Sequence, residues 1–233
     1  MPWPHVAHRC RVCLAWGRQS LCGDCLQRFA PERQRCPRCA LPTPQGQPCG
    51  SCLHAPPPFA AAVAAVDYGF PWDRLLADFK FNGQPELAAP LAALMVRALI
   101  QAAPSPVQAV VPVPLSGTRL AERGYNQAWE LARRLVPAQG APAWPQGLQR
   151  LRDTPHQVGL GRAQRLRNLR DAFWVPPEAQ AGLTGRHVAL VDDVLTTGVT
   201  AAAATQTLLA AGAASVQVWV LARTPPPDAA APT

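Results

Sequence analysis

Two hydrophobic patterns alternate along the chain after residue 58. Four segments carry the apolar runs of buried strands: 59–68, 107–113, 187–191 and 215–221. Four others repeat apolar residues at three- and four-residue steps, which predicts helices: 72–81, 86–101, 124–135 and 199–211. Strands that alternate with helices form right-handed βαβ units around a parallel sheet. The pattern therefore predicts an α/β domain over residues 59–222, with helices on the faces of the sheet.

Residues 1–55 follow neither pattern and contain all eight cysteines of the chain. The cysteines form four C-x-x-C pairs, separated by gaps of eight, ten and nine residues. Two such pairs can close one tetrahedral Zn²⁺ site. We therefore predict a double zinc ribbon whose two structural sites are built from Cys10, Cys13, Cys22, Cys25, Cys36, Cys39, Cys49 and Cys52. The segment has few large apolar residues, so the metal would supply much of its stability.

Other interpretations of the cysteines remain open. Disulfides would need an oxidising compartment, and the N-terminus has no apolar segment of the kind that directs secretion. Four redox-active dithiols within 43 residues would be unusual. Two zinc sites are therefore favoured, although the spacing fits both sequential and cross-braced pairing. We expect a cytoplasmic protein on the same grounds.

The chain is also basic, because 22 basic and 14 acidic residues give a net charge of +8. Residues 1–55 contribute +5 of it, which would suit contact with nucleic acid or a protein partner. No segment reaches the ~18 uninterrupted apolar residues of a membrane span, so we expect no membrane insertion. The proline- and alanine-rich residues 223–233 predict a disordered tail.

The most informative motif is VALVDDVLTTGVT at 188–200. A buried strand is predicted to end at Val191, and two acidic residues and a threonine-glycine turn lead into a helix. The backbone N–H groups of such a turn and the start of the helix bind phosphate. The acidic pair suits a sugar diol, since carboxylates accept hydrogen bonds from hydroxyls, with Mg²⁺ nearby. The alternative is an ordinary strand-to-helix turn with a capping side chain.

This motif resembles the 5-phosphoribosyl-1-diphosphate (PRPP) signature of type I phosphoribosyltransferases. The resemblance implies that Asp192 and Asp193 hold the ribose hydroxyls. It also implies that the loop holds the 5′-phosphate through Leu195, Thr196, Thr197, Gly198, Val199 and Thr200.

Three further segments are similar to the ComF family. The segment VVPVPLSGTRLAERGYNQAWELA at 110–132 resembles its pyrophosphate-loop region, which includes Pro114, Leu115, Arg119 and Arg123. FKFNG at 79–83 resembles a Lys-x-x-Gly element and contains Lys80, the only lysine in the chain. The segment 154–173 resembles the flexible loop of the family, with Gln157, Arg165 and Asn168 in matching places. The cysteine-rich N-terminus is also typical of ComF proteins.

The resemblance implies a Mg²⁺-dependent phosphoribosyltransferase fold and a link to natural transformation and DNA uptake. Asp192, Asp193 and Arg123 would act in catalysis, and Arg119 and Lys80 would help to hold the diphosphate. The acceptor is not identified by any motif. Two alternatives use the same features: a competence factor that binds single-stranded DNA without catalysis, and a regulator that senses PRPP without turnover.

Overall fold

A computed structural model of the chain describes residues 7–151 and 172–226. The N-terminal part has two short strands, β1 (His8–Arg9) and β2 (Trp16–Gly17), and two short helices, α1 (Gly23–Phe29) and α2 (Gly50–His54). β1 and β2 pair antiparallel. This small, cysteine-rich module precedes the larger domain, as the distribution of cysteines predicts.

The larger domain is built on four parallel strands in the order β3-β8-β7-β4. These strands are β3 (Ala61–Asp67), β4 (Ala109–Pro112), β7 (His187–Leu195) and β8 (Ser215–Arg223). A separate antiparallel pair is formed by β5 (Gln149–Arg150) and β6 (Phe173–Trp174). The predicted α/β class with a parallel sheet is confirmed.

Helices cover both faces of the sheet. The helices in chain order are α3 (Trp72–Phe81), α4 (Ala88–Ala102), α5 (Gly117–Arg123), α6 (Gln127–Gln139), α7 (Pro177–Leu183) and α8 (Val199–Ala210). Residues of α3, α4 and α6 form one buried cluster with one face of the sheet. Residues of α7 and α8 form a second cluster with the other face. Burial on both faces explains why the strands carry continuous apolar runs.

One segment of the described chain, Pro85–Ala102, is long and apolar enough to cross a membrane by length and composition, with a mean hydropathy of 1.2. Pro90 falls in the first turn of α4 and does not interrupt it, because the first turn needs no proline N–H. Leu91, Met95 and Leu99 on this helix are buried against the sheet. The segment therefore behaves as a core helix in this fold.

Among the predicted boundaries that differ from the structure, three lie near the candidate site. The strand expected to end at Val191 continues to Leu195, so the acidic pair lies within β7. Arg223, assigned to the tail, is the last residue of β8 and is 8% exposed. The helix expected from residue 124 begins at Gln127, after the separate helix α5. The two strands extend because Leu195 pairs with Arg223 across the sheet, and cross-strand pairing does not appear in local hydrophobicity.

Candidate phosphate site and tetracysteine clusters

The eight cysteines gather into two clusters by sequential pairing. In each cluster the four sulfur atoms lie within 4.8 Å of one another. The first cluster comprises Cys10, Cys13, Cys22 and Cys25, and the second comprises Cys36, Cys39, Cys49 and Cys52. All eight are free thiols without a disulfide. This geometry decides between the two pairings that spacing leaves open, in favour of consecutive sites.

The sulfur geometry fits Zn²⁺. The Cys13 and Cys22 sulfurs are 3.6 Å apart, as are those of Cys39 and Cys49. Sulfurs at the corners of a tetrahedral zinc site with bonds of about 2.3 Å would lie roughly 3.7 Å apart. Both clusters therefore have the ligand number and spacing of a structural zinc site.

Hydrogen bonds to sulfur favour the thiolate form of one cysteine in each cluster. Backbone N–H groups donate to sulfur, from Cys22 to Cys10 at 3.4 Å and from Cys49 to Cys36 at 3.3 Å. Burial alone would raise the pKa of Cys10 and Cys36, but the N–H donors outweigh it and lower the pKa to about 6 and about 7. The thiolate is the form that binds metal. One thiol of each cluster is thus prepared to ionise near neutral pH, whereas burial raises the pKa of Cys25 and Cys52 in the same clusters. Binding of Zn²⁺, which each cluster could hold, would ionise these thiols as well.

The cysteine-rich module is docked on the larger domain. The indole N–H of Trp72 donates to the carbonyl of Phe29 at 2.8 Å, and Arg35 forms an ion pair with Asp67 at 2.6 Å. Leu21 belongs to the same buried cluster as α3 and α4. The module therefore contributes to the hydrophobic core and also carries the two cysteine clusters.

The acidic pair stands at the carboxyl end of β7, where ligands bind in open α/β sheets. Asp193 is 8% exposed and forms an ion pair with Lys80 of α3, with 2.9 Å between its Oδ2 and the Lys80 Nζ. Asp192 accepts a hydrogen bond from the backbone N–H of Asp193 at 2.8 Å. The structure thus brings together two predicted site elements, the acidic pair and the lysine of FKFNG.

The carboxyl group of Asp192 holds its proton more tightly than an ordinary aspartate. Burial, and next the negative charge of Asp193, raise its pKa from 3.8 to about 7. A shared negative charge at this edge of the sheet would be relieved by a bound cation or by hydroxyl donors. The pair therefore has the electrostatics that favour binding of a cation or of hydroxyl donors, in addition to the ion pair with Lys80.

This raised pKa predicts a pH dependence of stability. Because the folded state binds the Asp192 proton more tightly than the unfolded state, stability should fall as the pH rises from about 4 through about 7. Chemical denaturation at a series of pH values measures this slope. In Asp192→Asn the slope over that window should become flatter, and an unchanged slope would contradict the assignment.

The segment after β7 forms the predicted strand-to-helix turn. Thr196 and Thr197 are exposed, and Gly198 adopts φ 80°, a left-handed conformation that glycine accepts without strain. In the part of the chain that the structure describes, no side chain caps the N-terminus of α8, which begins at Val199. Its first N–H groups have no partner within the helix and attract anions. The turn therefore has the geometry of a phosphate site.

Residues of the RGYNQ motif surround the end of α3. Arg123 donates to the Gln127 side chain at 3.0 Å and lies 4.9 Å above the ring of Phe81. Tyr125 donates to the carbonyl of Phe79, and Asn126 donates to Val113 at 3.1 Å.

The motif thereby joins α3 to the end of β4. Asn126 also caps α6 by accepting from the N–H groups of Ala128 and Trp129. The Gln127 amide nitrogen is buried and has no hydrogen-bond partner within the described chain. The motif therefore orders the start of α6 and holds it against α3, the helix that carries Lys80.

Of the remaining predicted residues, three lie on described segments and three do not. Pro114 and Leu115 are half-buried just after β4, whose pairing with β7 continues through a bond from Val113 to Val191 at 2.8 Å. Arg119 lies on α5, in the segment that follows. Gln157, Arg165 and Asn168 lie outside the described residues.

Sequence reasoning missed one residue at this site. The buried guanidinium of Arg223 donates to the carbonyl of Leu195 at 2.8 Å and to the carbonyl of Thr196, both in the candidate phosphate loop. It also donates to the carbonyl of Cys39 at 2.8 Å. The only signal in the sequence is a single charge at the end of an apolar run, which suits a tail equally well.

A groove of about 880 Å³ lies elsewhere, between the cysteine-rich module, β3 and α4. Arg33 and Arg35 on its rim are both paired with Asp67, and Arg97 donates to the carbonyl of Ala30. Within the described ranges, none of the predicted PRPP-binding residues lines this groove. The contacts of Arg33, Arg35 and Arg97 therefore hold the module against the domain.

Comparisons with known proteins identify close relatives. The chain is 37% identical over 226 residues to the DNA utilization protein YhgH of Salmonella typhimurium, covering 95% of this chain and 98% of that protein. The protein of the same name from Escherichia coli K12 is 36% identical over the same shares. Competence protein F of Haemophilus influenzae is 33% identical, covering 92% of this chain and 95% of that protein.

Solved structures give more distant matches, and no family model matches the chain. Glutamine phosphoribosylpyrophosphate amidotransferase from B. subtilis has a TM-score of 0.42 and 18% identity, covering 62% of this chain and 30% of that chain. Hypoxanthine phosphoribosyltransferase of Trypanosoma cruzi has a TM-score of 0.36 and 14% identity, covering 62% and 66%.

The curated relatives match almost from end to end. Their identity of 33–37% extends through both the cysteine-rich module and the α/β domain. Two of the motifs that resemble ComF, FKFNG and the segment 110–132, lie on elements that meet near the end of β7, and residues 154–171 lie outside the described residues. The chain therefore belongs to the ComF family, the family of the DNA utilization protein YhgH and competence protein F.

Proposed function

We propose that the chain binds PRPP with Mg²⁺ at the carboxyl end of β7 and acts as a phosphoribosyltransferase in DNA utilization. One observation carries the proposal: two neighbouring carboxylates near the end of β7 are followed by a turn and a helix N-terminus that no described side chain caps. Carboxylates that can accept hydrogen bonds from hydroxyls then lie near N–H groups that can bind phosphate. This combination matches a ribose phosphate. The acceptor is not assigned.

Different residues would bind different parts of the substrate. Asp192 and Asp193 would accept hydrogen bonds from the ribose hydroxyls, and the turn at 195–200 would bind the 5′-phosphate. Lys80 and Arg123 would attract the diphosphate, since both lie beside the same edge of the sheet. Mg²⁺, when bound, would neutralise diphosphate charge.

The transfer breaks the bond between C1 of the ribose and the diphosphate oxygen and forms a bond from C1 to the acceptor. The electron pair of the broken bond leaves with the pyrophosphate, and positive charge develops on the sugar ring. Cations around the departing group stabilise it, while the acidic pair and the turn hold the ribose in line. The thiols of the module remain reduced in the cytoplasm, where we place this reaction.

The experiment that tests the proposal is a calorimetric titration of the zinc-loaded protein with PRPP, with and without Mg²⁺. Binding that requires Mg²⁺ is the expected result. Pyrophosphate release in the presence of a panel of nucleobases and nucleosides then separates transfer from sensing. Binding without release would favour a PRPP-sensing regulator, and no binding at millimolar PRPP would contradict the proposal.

A second candidate function concerns single-stranded DNA and rests on the module. Trp16 is 72% exposed, and the guanidinium of Arg9 lies 5.7 Å from its ring centroid. An exposed aromatic ring among basic side chains offers a stacking platform and phosphate contacts. The names of the relatives, which refer to DNA utilization and competence, agree with this role.

Replacement of Trp16 tests this surface. Trp16→Ala should weaken binding of a fluorescent single-stranded oligonucleotide by about 5- to 150-fold, because one stacked base contributes ~1–3 kcal/mol. Ile100→Ala removes an exposed apolar residue on α4 and serves as the matched control. Affinity should also fall steeply with salt in the wild type. Equal affinities for both variants would exclude Trp16 from the DNA-binding surface.

A further inference from the structure

Arg223 is a buried cation whose partners are backbone carbonyls. It closes β8 with 8% of its surface exposed. Its Nη1 donates to Leu195 at 2.8 Å, to Thr196 at 2.5 Å and to Thr224 at 2.7 Å. Within residues 7–151 and 172–226, no carboxylate forms an ion pair with it. A guanidinium in such a place costs desolvation energy, which these bonds must offset.

The bonds from Arg223 help to fix the direction of two peptide planes. The Leu195 carbonyl also accepts from the backbone N–H of Thr224 at 3.1 Å, whereas Arg223 is the donor to the Thr196 carbonyl. In a trans peptide the N–H of one residue points opposite to the carbonyl of the residue before it. When Arg223 holds the Leu195 and Thr196 carbonyls, the N–H groups of Thr196 and Thr197 are directed away from it. That side of the turn is exposed. These N–H groups are the ones that the phosphate of a ligand would meet.

The other side of the guanidinium reaches the second cysteine cluster. The Nε of Arg223 donates to the carbonyl of Cys39 at 2.8 Å, and Cys39 is one of the four ligands in that cluster. Four thiolates around Zn²⁺ carry a net charge of −2. A metal-loaded cluster would therefore supply the negative charge that Arg223 lacks among its direct partners in the described chain.

We propose that Arg223 is a positioning residue that aims the N–H groups of Thr196 and Thr197 at a bound phosphate and makes their alignment depend on metal in the second cysteine cluster. This proposal rests on the proposed function only in taking the turn as a phosphate site. The alignment itself is a property of the unliganded chain and can be measured without PRPP. It assigns the module a role in the α/β domain besides DNA binding.

Three variants test the proposal. Arg223→Met removes all four bonds, and Arg223→Lys keeps the charge but has a single donor group. Arg38→Met is the matched control, because Arg38 also anchors the second cluster to the domain, through the carbonyls of Ala60 and Pro57, without touching the turn. Far-ultraviolet circular dichroism and the protection of β7 amides from exchange confirm that each variant is folded.

The main readout is hydrogen exchange, in the zinc-loaded protein, of the Thr224 and Ala202 amides, which donate to the carbonyls of Leu195 and Gly198 at the two ends of the turn, at 3.1 and 2.8 Å. Arg223→Met should exchange these amides at least tenfold faster than the wild type and bind inorganic phosphate about ten- to a hundredfold more weakly. Arg223→Lys should fall between the two, and Arg38→Met should match the wild type. Wild-type exchange and phosphate affinity in a folded Arg223→Met would overturn the proposal.

A thermodynamic cycle that combines metal removal with the Arg223→Met substitution tests the link to the cluster. Chelation should accelerate exchange of the Thr224 and Ala202 amides in the wild type but add little in Arg223→Met, because the coupling is already broken there. Equal acceleration in both proteins would overturn the link. The proposed function fails separately: if PRPP does not bind but Arg223→Met loosens the turn, PRPP binding is wrong and the alignment by Arg223 still holds.

Discussion

Chelation of the metal is expected to unfold the cysteine-rich module and to open its contact with the α/β domain. A structural zinc site contributes about 10–16 kcal/mol to folding in zinc-finger peptides at neutral pH. The module has little buried apolar surface of its own, and two short helices of seven and five residues. Without metal, this small burial does not offset the entropy of ordering the chain.

Trp72 provides the readout for this loss. It is 2% exposed, and its indole N–H donates to Phe29 of the module at 2.8 Å. When the module unfolds, this ring meets water, and tryptophan emission should shift to longer wavelength. Two zinc ions per chain should appear in a colorimetric assay in step with the shift.

The two clusters should not be equivalent. Cys36→Ser affects a fully buried ligand beside Ala40, which belongs to the core on one face of the sheet. Cys13→Ser affects an exposed ligand in the first cluster. We expect the larger loss of domain stability from Cys36→Ser, measured as the midpoint of urea denaturation. Identical midpoints, or a domain unaffected by chelation, would contradict this view of the module.

The local pattern was sufficient for most elements of the α/β domain. Helix α3 spans Trp72–Phe81, the range that its apolar spacing predicts. A helix with one apolar face and a strand buried on both faces leave periodic signals that do not depend on distant residues. The four cysteine pairs are informative for a related reason, since metal coordination requires fixed local spacing.

The parts that could not be predicted depend on residues far apart in the chain. Lys80 and Asp193 are separated by 113 positions, and only the fold brings α3 to the end of β7. The buried role of Arg223 depends likewise on Cys39 and Leu195, which approach it from other segments. Tertiary contacts of this kind leave no periodic signal, so the sequence could propose a candidate ligand set but not the ion pair and hydrogen bonds within it.

The pairing of Lys80 with Asp193 leads to different stability effects for two otherwise similar substitutions. Asp193→Asn should lower the free energy of unfolding by about 1–3 kcal/mol, because it leaves the mostly buried Lys80 ammonium without its partner. Asp192→Asn should not lower it above pH 7, since it removes a carboxylate that burial and Asp193 already disfavour as the anion. Urea denaturation at pH 8 compares the two directly.

Binding should respond differently from stability. Both variants should lose Mg²⁺-dependent PRPP binding by at least a hundredfold, because each removes an anionic acceptor for a ribose hydroxyl and for the charge of the metal. Calorimetry under the conditions used for the wild type measures this loss. If either variant keeps wild-type affinity, the acidic pair does not hold the ribose.

A double variant separates the two roles of Asp193. Adding Lys80→Met to Asp193→Asn removes the stranded ammonium, so stability should recover while PRPP binding stays lost. Lys80→Met alone should leave Asp193 without its partner cation, lower stability and weaken the hold on the diphosphate. Recovery of stability without binding would mean that the ion pair stabilises the unliganded fold. It would also mean that the Asp193 carboxylate is needed to bind the substrate. Recovery of neither would mean that the loss in Asp193→Asn comes from its other contacts, and Lys80 would then have no part in stabilising the acidic pair.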